Sequence, residues 1–342
     1  MNGLKKLAFF AVLCAGITAN AAFADELLIN SNTVIGAADF QHDGKSLIVE
    51  GATLTLSGTH SFESVVLRNS AILTTPVQAA LTLNAVSVDV DASSRIDLSA
   101  KGKLPDTSLS TNYYSGGSYG GRGGHYSSSG TYYNAVGSYG DYRWPRELGT
   151  GGRGASSSSN RTYGGGALEL QAESLALKGK ILANGQALSY SGSGSGGALL
   201  LQVGSLTLGA QSLIQADGGG ISGYSSYYGG GGGGRVALYY RSLQGDLNNR
   251  LSAKGGLTGN SDAFHGSPGT VYIRNSQNGD EQLIVSNGTV PTGKAAVTSL
   301  NLVHPMPFVG SLTAANANLS LAGELVYDSE LSPKRSLSVS GG

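Results

Sequence analysis

The chain has 342 residues, 54 of them glycine, and its 22 basic and 22 acidic side chains leave no formal net charge. With only 13% charged residues, self-repulsion is excluded as a source of disorder, and so is the basic stripe that marks a nucleic-acid partner. The single cysteine, Cys14, falls in the leader described next, which excludes a disulfide-stapled scaffold and cysteine zinc sites.

Residues 1–24 read as a Sec signal peptide. Lys5 and Lys6 give the positive start, Leu7 to Ile17 the apolar core, and Ala22-Phe23-Ala24 the small-x-small pattern before Asp25. That apolar run is too short to span a bilayer as a helix, and the mature chain has no later transmembrane segment. From Leu27 onward the pattern is short strands. Ser46 to Leu56 alternates with period two, and Phe62 to Leu67 and Ala71 to Thr74 continue in bursts of β-branched and apolar residues. Gly, Asn and Ser separate the bursts, and amphipathic helical spacing is absent. The expected fold class is all-β.

A unit then recurs. Its cleanest copy, Gly164 to Gly185, reads G-G-G-A-L-E-L-Q-A-E-S-L-A-L-K-G-K-I-L-A-N-G: strands at Ala167–Leu170, Leu175–Leu177 and Ile181–Ala183 after a glycine cluster. Copies run from Gly196 to Gly218 and from Gly234 to Gly255, with fainter ones opening at Ala80 and Gly269. A fixed order of strands repeated at some tens of residues predicts a parallel β-helix, a solenoid whose strands pair with those of the units above and below. An antiparallel β-sandwich is the alternative, but it would show hairpin turns between unrelated strands. In the solenoid alignment Ala100, Ala183, Ala216, Ala253 and Ser286 form a column of small residues. Lys101, Asn184, Asp217, Lys254 and Asn287 form the polar column beside it. The solenoid is expected over 25–292.

Loops enter at one recurrent point, so they are expected on one face. The longest spans 103–163, and shorter ones run over 186–195, 219–233 and 257–268, all rich in Gly, Ser and Tyr. Such Gly/Ser content alone suggests a flexible linker, but tyrosine packs its ring while its hydroxyl stays wet. Two readings stand open: the loops cover apolar rungs, or they present an aromatic binding face. For the second, the candidate residues are Tyr113, Tyr114, Tyr132, Tyr133, Tyr142, Trp144, Tyr224, Tyr227 and Tyr228. Residues 293–342 read as degenerate rungs interrupted by Pro305 and Pro307, or as the start of a further module. Ser336 to Gly342 resembles the opening of another rung, so either the last residues fold back as a cap or the chain is the first part of something longer.

Motifs for chemistry are weak. Gly288 to Lys294 spells G-T-V-P-T-G-K, yet Ala295 stands where a P-loop needs Ser or Thr, and no helix follows. Gly192, Gly194 and Gly197 match G-x-G-x-x-G through glycine abundance. Asp91, Asp97, Asp217, Asp246 and Asp262 are scattered singly, as are Arg95, Arg235 and Arg250, and they read as turn residues. No histidine shows metal-ligand spacing, so no cofactor and no metal is expected, and no enzyme activity.

The motifs G-G-G-A-L-E-L-Q…I-L-A-N-G and G-G-G-G-G-R-V-A-L-Y-Y resemble glycine-rich parallel β-helix segments of large bacterial surface or secreted proteins. Some of these are adhesin-like and some are associated with Rhs/YD repeats. The resemblance covers roughly Ser46 to Gly288 and brings no catalytic residues; this chain lacks a visible Rhs/YD array, anchor or translocator. It implies export to the extracellular space or outer surface of a bacterium, with the periplasm as the other compartment. An extracellular glycan or surface is the partner expected of the Tyr/Gly/Ser loop face, whose rings can stack on sugar faces, with an outer-membrane or export partner expected besides. A polysaccharide-degrading enzyme, with Asp217 and Asp246 as the acids to mutate first, and a structural spacer are the competing readings.

Overall fold

The computed structural model describes residues 25–105, 113–128, 131–133, 135–154, 161–220, 228–258 and 264–287. At 127–128, 131–133, 286, 311–315 and 337–340 it describes the backbone alone. Among the described residues there is no α-helix, and the fold is all-β. The first strands are β1 (Glu26–Ile29), β2 (Thr33–Ile35), β3 (Ser46–Glu50), β4 (Thr53–Leu56), β5 (Gly58–Arg68), β6 (Ile72–Thr74), β7 (Ala80–Val90) and β8 (Arg95–Asp97). A small hairpin follows, β9 (Tyr126–Ser128) and β10 (Thr131–Tyr133). Next come β11 (Ala167–Leu177), β12 (Lys180–Leu182), β13 (Ala198–Leu208), β14 (Leu213–Gln215), β15 (Arg235–Gln244) and β16 (Leu251–Ser252). The last are β17 (Thr270–Asn275), β18 (Glu281–Ser286), β19 (Ser311–Ala315) and β20 (Leu337–Ser340).

The chain alternates between two sheets. One has the order β1-β3-β5-β7-β11-β13-β15-β17-β18-β19-β20, the other β2-β4-β6-β8-β12-β14-β16. Parallel neighbours need a crossover, and up to β17 each crossover passes through the other sheet. Among the described residues, antiparallel pairing, which a sandwich would need throughout, is confined to β9–β10 and β17–β18.

Parallel register stacks like on like. Leu54, Leu73, Ile96, Ile181, Ile214 and Leu251 form one ladder in the smaller sheet. In the larger sheet, Leu47, Val65, Val88, Leu175, Leu206 and Leu243 form a second, in the same core cluster. A third consists of His60, Leu83, Leu170, Leu201, Leu238 and Ile273. Full burial of each aliphatic side chain contributes about 1.5–3 kcal/mol.

The long strands bury residues of opposite parity in their two halves: Leu81 and Leu83 but Val88 and Val90 in β7, Leu168 and Leu170 but Leu175 and Leu177 in β11. A straight strand shows one face at every second residue, so the chain turns a corner at Ala85–Ser87 and again at Ala172–Ser174. The three strands expected per unit are therefore the two halves of one bent strand and the short strand after it.

Two register expectations are corrected. Leu182, Gln215 and Ser252 align with Asp97, which puts Leu98 rather than Ala100 in the small-residue column and Ser99 rather than Lys101 in the polar one. Ala100 instead takes a left-handed φ of 56°. The copy opening at Gly269 starts as expected, but β18 folds back antiparallel on β17, so Ser286 stacks on no equivalent. At the chain end, Leu337–Ser340 does form a strand, parallel to β19. The other expected rungs there, Val297 to Leu302 and Asn318 to Leu321, lie outside the described residues.

His60 is the one polar member of its ladder. It is fully buried, with Nδ1 2.9 Å from Asp43 Oδ1 and Nε2 3.0 Å from the Ser57 carbonyl. The later passes up to β17 hold an aliphatic residue there, so His60→Leu is expected to fold with no loss of denaturation midpoint. Asp43→Ala strands a buried ring nitrogen and is expected to cost about 1–3 kcal/mol in chemical denaturation.

Candidate binding face

Beyond β8 the link from the smaller sheet back to the larger becomes a long excursion rich in glycine, leaving after Leu98, Ala183, Ala216 and Ala253. The three later excursions close at their base, where Gly197, Gly234 and Gly269 donate to the carbonyls of Ala183, Ala216 and Ala253 at 2.8, 2.7 and 2.7 Å. Gly166 does the same to Leu98 at 2.8 Å. Between base and tip the glycine segments pack on one another as a layer.

Gly229–Gly234 shows how. Its successive amides donate to Tyr114, Phe264, Gly219, Gly117, Ser267 and Ala216. Residues three apart thus address the same neighbour: 114 then 117, 264 then 267, 219 then 216. Its carbonyls accept from Ser193 and Gly196, from Gly124 and Gly121, and from Gly256. The segment is surrounded on all sides. Gly192–Gly197 repeats the scheme, donating in turn to Arg153, Gly229, Gln186, Thr150, Gly232 and Ala183. A three-residue period with every bond directed outward is the signature of a polyproline-II-type helix. Both segments are buried, and their backbone groups are satisfied with no β-ladder. The G-x-G-x-x-G match lies here, with its amides donated to protein carbonyls rather than offered to a phosphate. The P-loop-like stretch beginning at Gly288 lies outside the described residues.

Part of the long loop is cover. Leu200, Ala237 and Tyr272 face outward in register and are nevertheless fully buried, because residues 136–148 lie over them as a strap. Arg235 is wholly buried and donates through Nε and Nη2 to the Tyr139 carbonyl at 3.1 and 2.8 Å. Arg143 pairs with Glu281 at 3.2 Å, and Arg146 with Glu169 at 2.8 Å. Burial pushes the Tyr139 hydroxyl well above its ordinary value. Tyr142, proposed from the sequence as a binding residue, is only 3% exposed and packs edge-on against Tyr272. It belongs to the strap's underside. Trp144 is 42% exposed and stacks on Tyr239.

At the tip of the layer other tyrosines converge. Tyr114 lies 4.8 Å from Tyr126 and 5.0 Å from Tyr228 between ring centroids, and Tyr190 lies 6.1 Å from Tyr228. Tyr113 is 46% exposed with the Arg153 guanidinium 5.6 Å over its ring, and Tyr190 is 56% exposed. Tyr114 and Tyr190 take left-handed φ values of 59° and 63°, a strain of about 1–2 kcal/mol each that the surrounding packing imposes. Burial, then the neighbouring tyrosines, raise the Tyr228 pKa. Tyr132 and Tyr133 lie on β10 with backbones opposite Ser127 and Tyr126; Tyr224 and Tyr227 lie outside the described residues. The structure thus brings Tyr113, Tyr114 and Tyr228 to one end, adds Tyr126 and Tyr190, and separates Tyr142 and Trp144 from them. The missed pair was visible as aromatic residues in Gly/Ser loops, but only the out-and-back pairing of segments says which loop tips meet.

Asp217 and Asp246, the acids to mutate first in the enzyme reading, bond to neighbouring scaffold groups, and Asp262 lies outside the described residues. Asp217 Oδ1 accepts from Ser252 Oγ at 2.6 Å and the Lys254 amide at 2.7 Å, and Oδ2 accepts from Gln215 Nε2 at 2.7 Å. It is a half-buried rung of a polar ladder in which Ser99, Asn184 and Asp217 each accept the backbone amide of the next pass. Asp246 caps its own turn through Asn248, as a turn residue should. Among the described residues no group of three His, Cys, Asp or Glu side chains is placed to hold a metal. Nor is any helix there long and apolar enough to cross a membrane. Comparison with protein-family models, curated proteins and solved structures gave no match.

A Cβ on Gly231 would collide with the Gly194 carbonyl, and one on Gly196 with the Ala216 carbonyl, whereas Gly36 has open space. Gly231→Ala and Gly196→Ala are each expected to cost about 1–3 kcal/mol or more by thermal denaturation, and Gly36→Ala close to nothing. Separately, carboxyl-carbon NMR should find Asp91 and Asp217 titrating on opposite sides of their ordinary value. Burial acts to raise Asp91, but bonds from the Asn69 amide, Ser94 and Ser93 prevail and hold it at about 2. Burial of Asp217 prevails over its donors and lifts it above 3.8. The Asp91 contribution to stability is therefore present above its unfolded value and lost as pH falls from 3.8 towards about 2. Asp217 has the reverse sign: its contribution is present below 3.8 and lost as pH rises through its raised value.

Proposed function

We propose that the chain is a parallel β-helix of the glycine-rich bacterial surface type, exported through its signal peptide as a non-enzymatic module. In this reading it adheres to extracellular glycan or another surface through the tyrosine tip. The observation that carries the reading is the convergence of Tyr114, Tyr126, Tyr190 and Tyr228 from three excursions at the end of the glycine layer, with Tyr113 next to Tyr114 in the chain. Tyr113 and Tyr190 are about half exposed and the other three partly buried, so the exposed rings can stack on a ligand while their hydroxyls bond to water or to the ligand. The alternation of the chain between two parallel sheets supports the β-helix, each pass forming one coil.

A structural spacer is the second reading, favoured by the strap, which uses its aromatic residues as cover. One experiment separates the two. The chain with Tyr113, Tyr114, Tyr190 and Tyr228 changed to Ala is compared with wild type for retention on mucin-coated and cellulose surfaces. Adhesion predicts roughly tenfold or greater loss with far-UV circular dichroism unchanged, as expected when several aromatic hot spots are removed. Equal retention by both chains, or by neither, rejects adhesion through the tip.

A further inference from the structure

The strap borders a groove that shares no lining residue with the tyrosine tip. It has a volume of about 710 Å³ and lies along the corner of the bent strands, with Trp144 at its side. In register, Ser61, Asn84, Gln171, Gln202 and Tyr239 occupy the same outward position on β5, β7, β11, β13 and β15. Rungs at a spacing of roughly 4.8 Å carry that row over about 19 Å.

The row is held from its base. Gln171 Nε2 and Gln202 Nε2 donate to Glu169 Oε1 at 3.1 and 3.5 Å, and Asn84 Nδ2 donates to Ser61 Oγ at 3.2 Å. Among the described residues the three amide oxygens have no protein partner. The indole of Trp144 stacks on Tyr239 at 4.9 Å between centroids and 19° between planes. Tyr239 is itself fixed by donating its hydroxyl to the Arg143 carbonyl at 2.8 Å. A rigid, 42% exposed indole thus stands beside a regular row of neutral hydrogen-bonding groups.

We infer that this groove binds a neutral, unbranched oligosaccharide. The row offers uncharged acceptors at a repeating interval, which suits a chain of like units carrying hydroxyls that donate and accept. The indole gives a flat apolar surface for the C–H face of one sugar ring. The charged lining residues are one Glu173 and one Arg241, so the groove favours neither a polyanion nor a polycation. An extended peptide has no strand edge to join here, because β5, β7, β11 and β13 are each paired on both sides.

Trp144 is the only tryptophan in the chain, so its emission reports on this groove alone. Cellohexaose, laminarihexaose and maltohexaose are titrated separately into the full chain. At least one is expected to shift the emission saturably and shield it from acrylamide. Trp144→Ala, followed by calorimetry with that hexasaccharide, and the pair Gln171→Ala with Gln202→Ala should each weaken binding about tenfold or more. The emission of the unliganded glutamine variant should be unchanged. No saturable change with any of the three sugars overturns the inference, as does calorimetric binding that Trp144→Ala leaves intact. Tyr114→Ala with Tyr228→Ala should leave this titration as it is, so the groove and the tip stand or fall separately.

Discussion

Where Gly229–Gly234 crosses the layer, its six amides reach carbonyls of three neighbouring segments in turn, and the segments meet too closely for any side chain to stand between them. Everything outside the two sheets depends on that packing. Glycine loses more conformational freedom on folding than any other residue, so ordering such segments is costly. What offsets it is the completeness of the network: an isolated bond nets only about 0.5–1.5 kcal/mol, but a buried group left unmade costs about 1–3 kcal/mol. The layer is consequently cooperative. Removing one segment would strand amides or carbonyls on all the segments around it.

The two halves of the molecule solve one accounting problem differently. In the sheets, side chains fill the space between layers and parallel ladders satisfy the backbone; in the glycine layer the backbone itself fills the space. The junction is built with care. Glycine donors close each excursion onto the apolar residue that opens it, Leu98 or an alanine, and the Ser99–Asn184–Asp217 ladder binds one pass to the next beside that point. Arg235, the first residue of β15 after the glycine run, then reaches out to hold the strap by the Tyr139 carbonyl. One position thus joins sheet, layer and cover.

The all-β class was legible in the short apolar alternations, and parallel register, which stacks like on like, leaves a periodic trace in the sequence. The first excursion was misaligned by two residues because Leu98 is large where its counterparts are alanine, while Ala100 matched them in type but not in place. The reversal at β18 was also hidden, since Leu283, Ile284 and Val285 read as a rung in either direction. Within the loops, composition suggested flexibility, yet the order lies in contacts between glycines far apart in sequence, and glycine writes no side-chain pattern. Tyr142 shows the same limit from the other side. Its burial depends on the outward-facing Tyr272, which no local pattern connects to it.

Unfolding normally raises heat capacity because apolar surface meets water, whereas newly hydrated polar surface lowers it. The sheets of this protein conform to the first rule. The glycine layer follows the second, since what it hides is peptide group rather than hydrocarbon. Residue for residue, it pulls the heat-capacity increment below the usual value of about 12–15 cal/mol/K. The stability curve is flattened accordingly, and the fold loses less of its strength on cooling than a hydrocarbon-cored chain of the same length.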